Sequence, residues 1–346
     1  MESASEKIET QRRLKVSVVM PTLNSERTLR RSLESIARQK YEGEVEIVIA
    51  DGGSTDCTRE IATEFGCIIV ENPGRTGEAG KAMGYKAASG DIIALIDSDN
   101  ILVSDYWLAR MTAPFDDENI AGSEPIMFEY RKSDSALTKY CSLMGLGDPL
   151  CYFMKNYDHI NMLSGTWTGL DIQTINRDDY LEVLLEKGKP IPTMGANGFL
   201  VRKELLDLLG VQEYLFDIDI IGKLIERGFC HYAKVNIGIV HIYGTGLGVF
   251  ARKQLRRVRD FNYYKNLGMR SYPWEKQTTF GVMRFILYTI LTIPLVVQAA
   301  KGFRNQRDIA WFLHIPACWI TLVIYVFGYL EAFIKPREQR RDNWSQ

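Results

Sequence analysis

The stretch Ile92-Ile93-Ala94-Leu95-Ile96-Asp97-Ser98-Asp99-Asn100 decides how this chain is read. An unbroken apolar run bounded by polar residues describes a strand buried on both faces, as in a parallel sheet, so the residues after it sit at the sheet's carboxyl edge. Ligands bind at that edge in open α/β sheets. Two carboxylates one residue apart repel each other, and a cleft keeps both ionised where a cation or other donors neutralise them. Two readings are open here: a divalent metal with phosphate attached, or a solvated loop in which Asp99 or Asn100 caps a helix.

Upstream, strand and helix patterns alternate. Val16 to Met20 reads as a strand, Pro21-Thr22 as a turn, and Leu29, Leu33 and Ile36 recur at helical spacing. Val45 to Ala50 is a second strand, followed by a helix that Asp56 is placed to cap, and Cys67 to Val70 is a third. Ala79 to Ala88 reads as a further helix, stopped by Gly90 before the strand that delivers Asp97. This alternation predicts an open parallel sheet with right-handed crossovers. Three strand ends then meet at one cleft: Pro21-Thr22, Asp51-Gly52-Gly53-Ser54-Thr55-Asp56 and Asp97-Ser98-Asp99. Asp51 is positioned to accept hydrogen bonds from a base edge, while a capped loop is the alternative for its turn.

The 346 residues carry a formal net charge of -1, which implies neither nucleic acid nor an acidic partner. Six scattered cysteines form no CxxC pair and no zinc spacing, and are read as reduced core thiols. The opening MESASEKIETQRRLK lacks the apolar stretch of a signal peptide, which predicts a cytosolic front part. Residues 285–300 and 309–330 are free of Asp, Glu, Lys and Arg, and two membrane spans are expected there, with a pair of buried helices as the alternative. The loop between them holds Lys301, Arg304 and Arg307 against Asp308, a charge bias disfavoured on an outer membrane face, so a tilted or incompletely crossing hairpin stays open.

The motifs resemble those of family 2 glycosyltransferases, inverting enzymes with the nucleotide-sugar-binding GT-A fold. VSVVMPTLN, VEIVIADGGSTD, NPGRTGEAGKAMGYKAASGD, IALIDSDN, MGANGFLVRKELL and FDIDIIGKLIERGF stand in that family's order between about Val16 and Asp260. The resemblance implies an α/β, Rossmann-like and mostly parallel GT-A sheet with flanking helices. It implies that Pro21, Thr22, Asp51, Asp97 and Ser98 face the donor, with Asp97 near ribose and phosphates. Asp99 would ligate a Mg or Mn ion through the diphosphate. Counting back 11 residues from Gly228 reaches Asp217, taken as the general base, with Phe216 where the family often has an acid. Asp219, Asn197 and Gly198 are assigned to the acceptor side. N-capping of a helix is the alternative, which fits Asp219 better than Asp217.

Gln254-Leu255-Arg256-Arg257-Val258 is similar to the QxxRW signature of cellulose-synthase-like members, with Val258 replacing Trp. Gln254 and Arg257 would then serve the donor diphosphate. His241 is a candidate further metal or phosphate ligand, with a structural histidine as the alternative. Lys81 and Arg75 can face phosphate, although a solvated surface is the default for both. Residues 136–175, apolar in patches, are expected to build the acceptor side.

Between Arg252 and Lys276 stand eight basic and two acidic residues, a pattern suited to a helix on anionic headgroups or to a solvated helix. Tyr272, Pro273 and Trp274 would mark the membrane interface. The chain thus divides into a polar tail (1–14), a GT-A catalytic domain (15–250), a basic amphipathic interface region (251–278), a hairpin (279–334, spans near 282–300 and 309–331) and a basic cytosolic tail (335–346). The expected activity is that of a membrane-bound, metal-dependent hexosyltransferase with its catalytic domain on the cytoplasmic side. Resemblance to archaeal mannosyltransferases of lipid-linked oligosaccharide assembly points to GDP-mannose and a dolichyl or polyprenyl acceptor. The alternatives are a dolichyl-phosphate sugar synthase, a UDP-sugar-dependent polysaccharide or glycolipid synthase, and a non-catalytic sugar-nucleotide or lipid-binding regulator. Oligomeric state is not readable from the sequence.

Overall fold

The computed structural model describes residues 13–272 and 279–334. The tails 1–12 and 335–346, and the expected interface residues Pro273, Trp274 and Lys276, lie outside the described residues. The element order is β1 (Val16–Thr22), α1 (Glu26–Ala37), β2 (Val45–Asp51), α2 (Thr58–Glu64), β3 (Ile68–Glu71), α3 (Gly77–Ala87), β4 (Ile92–Leu95), β5 (Asn100–Leu102), α4 (Trp107–Thr112), β6 (Ile120–Glu129), α5 (Ala136–Met144) and α6 (Pro149–Met154). It continues with β7 (Gln173–Arg177), β8 (Tyr180–Leu184), β9 (Phe199–Arg202), α7 (Lys203–Leu209), α8 (Asp217–Glu226), β10 (His231–His241), α9 (Leu247–Asn266), α10 (Thr279–Leu291), α11 (Ile293–Asn305) and α12 (His314–Ile334).

These build one mixed sheet in the order β3-β2-β1-β4-β9-β6-β10-β8-β7, with β5 on β10. The parallel half, β3-β2-β1-β4, is the part that the alternating pattern predicts. β9 then enters antiparallel between β4 and β6, while β6 and β10 pair in parallel. Burial explains the unbroken apolar runs: every residue of β4 is buried, and Val16, Val18 and Met20 of β1 face one core while Val19 faces the other. Pro21 and Thr22 form no turn but stay in register with Ala50 and Asp51. The helix-cap reading of Asp99 and Asn100 fails as well. Asn100 opens β5, pairing with His241, and the next helix starts only at Trp107.

The C-terminal third departs from two straight spans. α10 and α11 meet at a 94° bend, and among the described residues only Ile309–Ala332 is by itself long and apolar enough to cross a membrane. Thr292, with a φ of 59°, sits at the elbow.

Candidate functional site

Asp97 leaves the carboxyl end of β4 and meets α8, whose first residue is Asp217. Lys81, on α3, bridges them. Its Nζ donates to Asp217 Oδ2 at 2.6 Å and lies 3.4 Å from Asp97 Oδ1. The expectation of a solvated Lys81 therefore fails: its ammonium is buried between two carboxylates. Burial pushes the Asp217 carboxyl up to about 6, opposed by Lys81 and reinforced by Asp97. A carboxyl there takes and releases protons near neutral pH, as a general base requires. Among the described residues, Asp217 Oδ1 is buried with no hydrogen-bond partner, a cost that an incoming hydroxyl donor would relieve.

Asp99 points the other way, toward β10 and α9. His241 Nε2 lies 3.4 Å and Lys253 Nζ 3.6 Å from its Oδ2, and burial, which opposes ionisation, is outweighed by these two groups, so the carboxyl is held below the usual range. Its Oδ1 is buried without a partner among the described residues. An unsatisfied carboxylate oxygen with an imidazole nitrogen beside it is a donor set that a hard divalent cation accepts. Ser98 Oγ donates to Ser25 Oγ at 3.1 Å and so ties this loop to the start of α1.

Asp51 is fully buried and its carboxylate is occupied. Thr22 Oγ1, Gly53 N and Ser54 N donate to it at 3.0, 3.1 and 2.9 Å, and Arg59 approaches at 3.3 Å. These bonds, led by Ser54, hold its carboxyl low although burial opposes them. Thr22 is committed to the same turn.

Asn197 Oδ1 accepts from Asn100 Nδ2 at 3.2 Å, which joins the 195–198 loop to the aspartate loop. Gly198 is required there. Its φ is 97°, and a Cβ would meet Ile239 at 2.9 Å and Trp107 at 3.1 Å. Asp219, two residues from Asp217, does not face this cleft. Its carboxylate accepts from Arg270 Nε at 2.5 Å and from Ser271 N at 3.0 Å, and so latches the chain beyond α9 to α8.

Gln254 and Arg257 also differ from expectation. Gln254 Nε2 and Arg257 Nη1 each donate to the Gly147 carbonyl at 2.8 Å, and Tyr243 donates to the same oxygen at 2.7 Å. Tyr325 of α12 donates to Asp148 and to Gln254 Oε1. The QxxR residues thus fasten α9 to the loop before α6. Their neighbour Lys253 reaches Asp99 instead, a contact that no spacing in the sequence marks.

A second polar cluster lies beneath the 193–198 loop. Ligand atoms of Glu124, Asp158 and His159 lie within 4.8 Å of one another, a possible metal-binding triad. Lys234 Nζ already donates to Glu124 at 2.7 Å and to the Asp158 carbonyl at 2.5 Å, so the triad has an internal cation. Gly195 N donates to Glu124 at 2.8 Å and Thr193 Oγ1 to Asp158 at 3.0 Å, which fixes the loop. Neither Glu124 nor Lys234 was singled out by the sequence, because both fall between the quoted motifs and pair with each other 110 residues apart.

Residues 17–207 match the profile of a family described as "Glycosyl transferase family 2". The chain is similar to glycosyltransferase AglE of Haloferax volcanii, 26% identical over 140 residues, covering 38% of this chain and 45% of that protein. It is similar to the UDP-Glc:alpha-D-GlcNAc-diphosphoundecaprenol beta-1,3-glucosyltransferase WfgD of Escherichia coli, 35% identical over 99 residues, covering 28% of this chain and 37% of that one. Each match thus spans less than half of the relative. A solved mannosyltransferase of Pyrobaculum calidifontis, PcManGT in complex with GDP-Man and Mn2+, shares the fold at a TM-score of 0.54 and 14% identity, covering 93% of this chain and 88% of that chain.

Proposed function

The chain belongs to glycosyl transferase family 2, and from that membership we propose that it moves a hexose, mannose from GDP-mannose in the most specific reading, onto a lipid-linked acceptor at a membrane surface. The observation that carries this is the pair of acidic groups at the carboxyl end of β4, where Lys81 joins Asp97 to Asp217 while Asp99, two residues on, meets His241 and Lys253. Asp217 takes the proton from the acceptor hydroxyl while that oxygen attacks the anomeric carbon from the face opposite the leaving diphosphate. The product is inverted. Lys81 holds Asp217 ionised and aimed until the acceptor supplies a hydrogen bond to Oδ1. Asp99 and His241 would hold the Mg or Mn ion, with Asp97 toward the donor; when bound, such an ion neutralises charge developing on the diphosphate. The rigid Asp51 turn shapes the base pocket, and Asn197 with Gly198 borders the acceptor. The mannose preference is supported by the GDP-Man complex of the fold neighbour, and the lipid-linked acceptor by the substrate named for WfgD.

Calorimetry of the full chain with GDP-mannose, UDP-glucose and UDP-N-acetylglucosamine, with Mn and with EDTA, tests the donor and the metal together. Metal-dependent binding of GDP-mannose that Asp99→Ala removes is expected. Asp217→Asn should retain donor affinity and lose about 10²–10⁴ of turnover. Donor binding with no turnover in either protein would favour the regulator reading.

A further inference from the structure

The loop that a membrane-crossing hairpin would carry to the far side of a bilayer is hydrogen-bonded to the catalytic domain. Asn305 Nδ2 donates to the Met162 carbonyl at 3.1 Å, and Gln306 Nε2 donates to Tyr130 Oη at 2.8 Å. α12 stays on that domain along its length. His314 Nδ1 pairs with Tyr140 Oη at 2.9 Å near its start, Tyr325 bonds Asp148 and Gln254 further on, and Glu331 accepts from Arg259 at 2.6 Å near its end. α9, which lines its second half, is itself seated on the residue that leads into α8, with Tyr264 and Phe216 ring centroids 5.0 Å apart. A helix held against a polar domain from end to end does not cross the hydrocarbon core beside it.

The outward side of this assembly is apolar. Trp319, Val323, Val326 and Leu330 are exposed at i, i+4, i+7 and i+11, a single stripe along α12. The α10–α11 elbow ends in exposed Ile290, Leu291 and Ile293, the last 73% accessible. α10 and α11, 13 residues each, are about 20 Å long, short of the ~30 Å core of a bilayer, and their 94° bend prevents them from adding. The exposed charges flanking the surface on α11 and its following turn are Lys301, Arg304 and Arg307. That charge bias is unfavourable on a far membrane face and favourable beside anionic headgroups on the near one.

We propose that the α10–α11 elbow and the outer stripe of α12 form a seat that enters a single leaflet of an anionic bilayer, with the 301–308 loop on the same side as the catalytic domain. This rests on the membrane-surface reading of the function and changes its topology from crossing to one-sided. It places the mouth of the acceptor side, α5, α6 and the Gly147 loop, against the headgroups where a lipid-borne hydroxyl would lie.

The test uses the full chain carrying Arg304→Cys, reconstituted into sealed vesicles of phosphatidylcholine and phosphatidylglycerol in about a three-to-one ratio. A membrane-impermeant maleimide is added outside, and labelling at position 304 is compared by mass spectrometry with that of exposed Cys57. The two should be labelled to the same extent, within about twofold, before and after the vesicles are permeabilised. If the two positions label from opposite sides, the one-leaflet seat is overturned while membrane attachment stands. If the wild-type chain does not associate with these vesicles at all, both the seat and the membrane part of the function fail. Ile290→Asp combined with Ile293→Asp, at exposed positions that leave the core intact, should lower vesicle partitioning by at least about tenfold; unchanged partitioning of this folded variant would place the seat elsewhere.

Discussion

Replacing Lys81 with Met removes the ammonium that bridges Asp217 and Asp97 while keeping most of its buried volume. In the wild type the Asp217 carboxyl is pushed up to about 6 by burial, and Lys81 is the group that keeps it from rising further. A hydrogen bond between charged groups is worth roughly 1.5–3 kcal/mol, and each pKa unit corresponds to about 1.4 kcal/mol, so its loss raises this carboxyl by about one to two units. Asp97 then stands uncompensated nearby and adds in the same direction. At neutral pH the ionised fraction of Asp217 falls from about nine in ten to between about a tenth and a half. The rate of nucleoside diphosphate release from the donor, followed from about pH 5 to pH 9, should therefore show its acid limb displaced upward, with activity recovering to within a few-fold at the alkaline end. Carbon-13 NMR titration of the aspartate carboxyls reads the same shift without turnover. A carboxyl that titrates unchanged or lower in Lys81→Met would refute the clamp. A loss of donor affinity equal at every pH would instead assign the ammonium to the diphosphate.

Two further perturbations probe the scaffold around the site. Glu46, on β2, accepts from Ser17 Oγ at 2.5 Å and Ser89 N at 2.6 Å, and although burial opposes ionisation these bonds and Lys15 hold its carboxyl down to about 2. Because the folded value lies below the ordinary 4.5, the stabilisation, about 3 kcal/mol, is present above pH 4.5 and is lost as pH falls toward 2. Urea unfolding should find Glu46→Gln weaker than wild type at pH 7 and the gap about halved near pH 3; a gap independent of pH would contradict the linkage. At the α9–α12 contact, a Cβ on Gly328 would overlap Val258 Cγ1, so Gly328→Val should cost about 2 kcal/mol by overpacking, and Val258→Ala should recover part of it. Strict additivity of the two substitutions would show that the helices do not meet there.

The parallel half of the fold was legible because its central strands β1 and β4 are buried on both faces and α1 between β1 and β2 carries one apolar stripe. That makes the period of the sequence equal to the period of the structure. The positions of Asp97, Asp99 and Asp217 were legible for a related reason: they stand at strand and helix boundaries that local chemistry marks. What escaped is non-local. The insertion of β9 between β4 and β6 leaves no trace in the run Phe199 to Arg202, which reads as a short strand in any sheet. Lys81 looks like a surface cation because its partners stand 16 and 136 residues away. Asp219 and Arg257 were given substrate because their residue types suit it, yet Arg270 and the Gly147 carbonyl satisfy them first. Sequence spacing shows what a side chain is able to bind, whereas tertiary placement determines what it binds in the folded chain.

Val258 in place of the tryptophan of QxxRW then has a steric reason. Across one helix, Lys253 approaches Asp99, Gln254 and Arg257 grip the Gly147 carbonyl, and Val258 packs on Gly328 of α12. An indole at position 258 would push α12 away from α9, because glycine at 328 leaves room only for a branched aliphatic group. α9 therefore acts as a strut whose one end touches the aspartate loop and whose flank carries the apolar stripe of α12. With the proposed seat on the bilayer, this single helix sets the height of Asp99 above the headgroups. A substitution that separates α9 from α12 should accordingly reduce transfer to a bilayer-borne acceptor more than hydrolysis of the soluble donor, since only the former needs both ends of the strut in place.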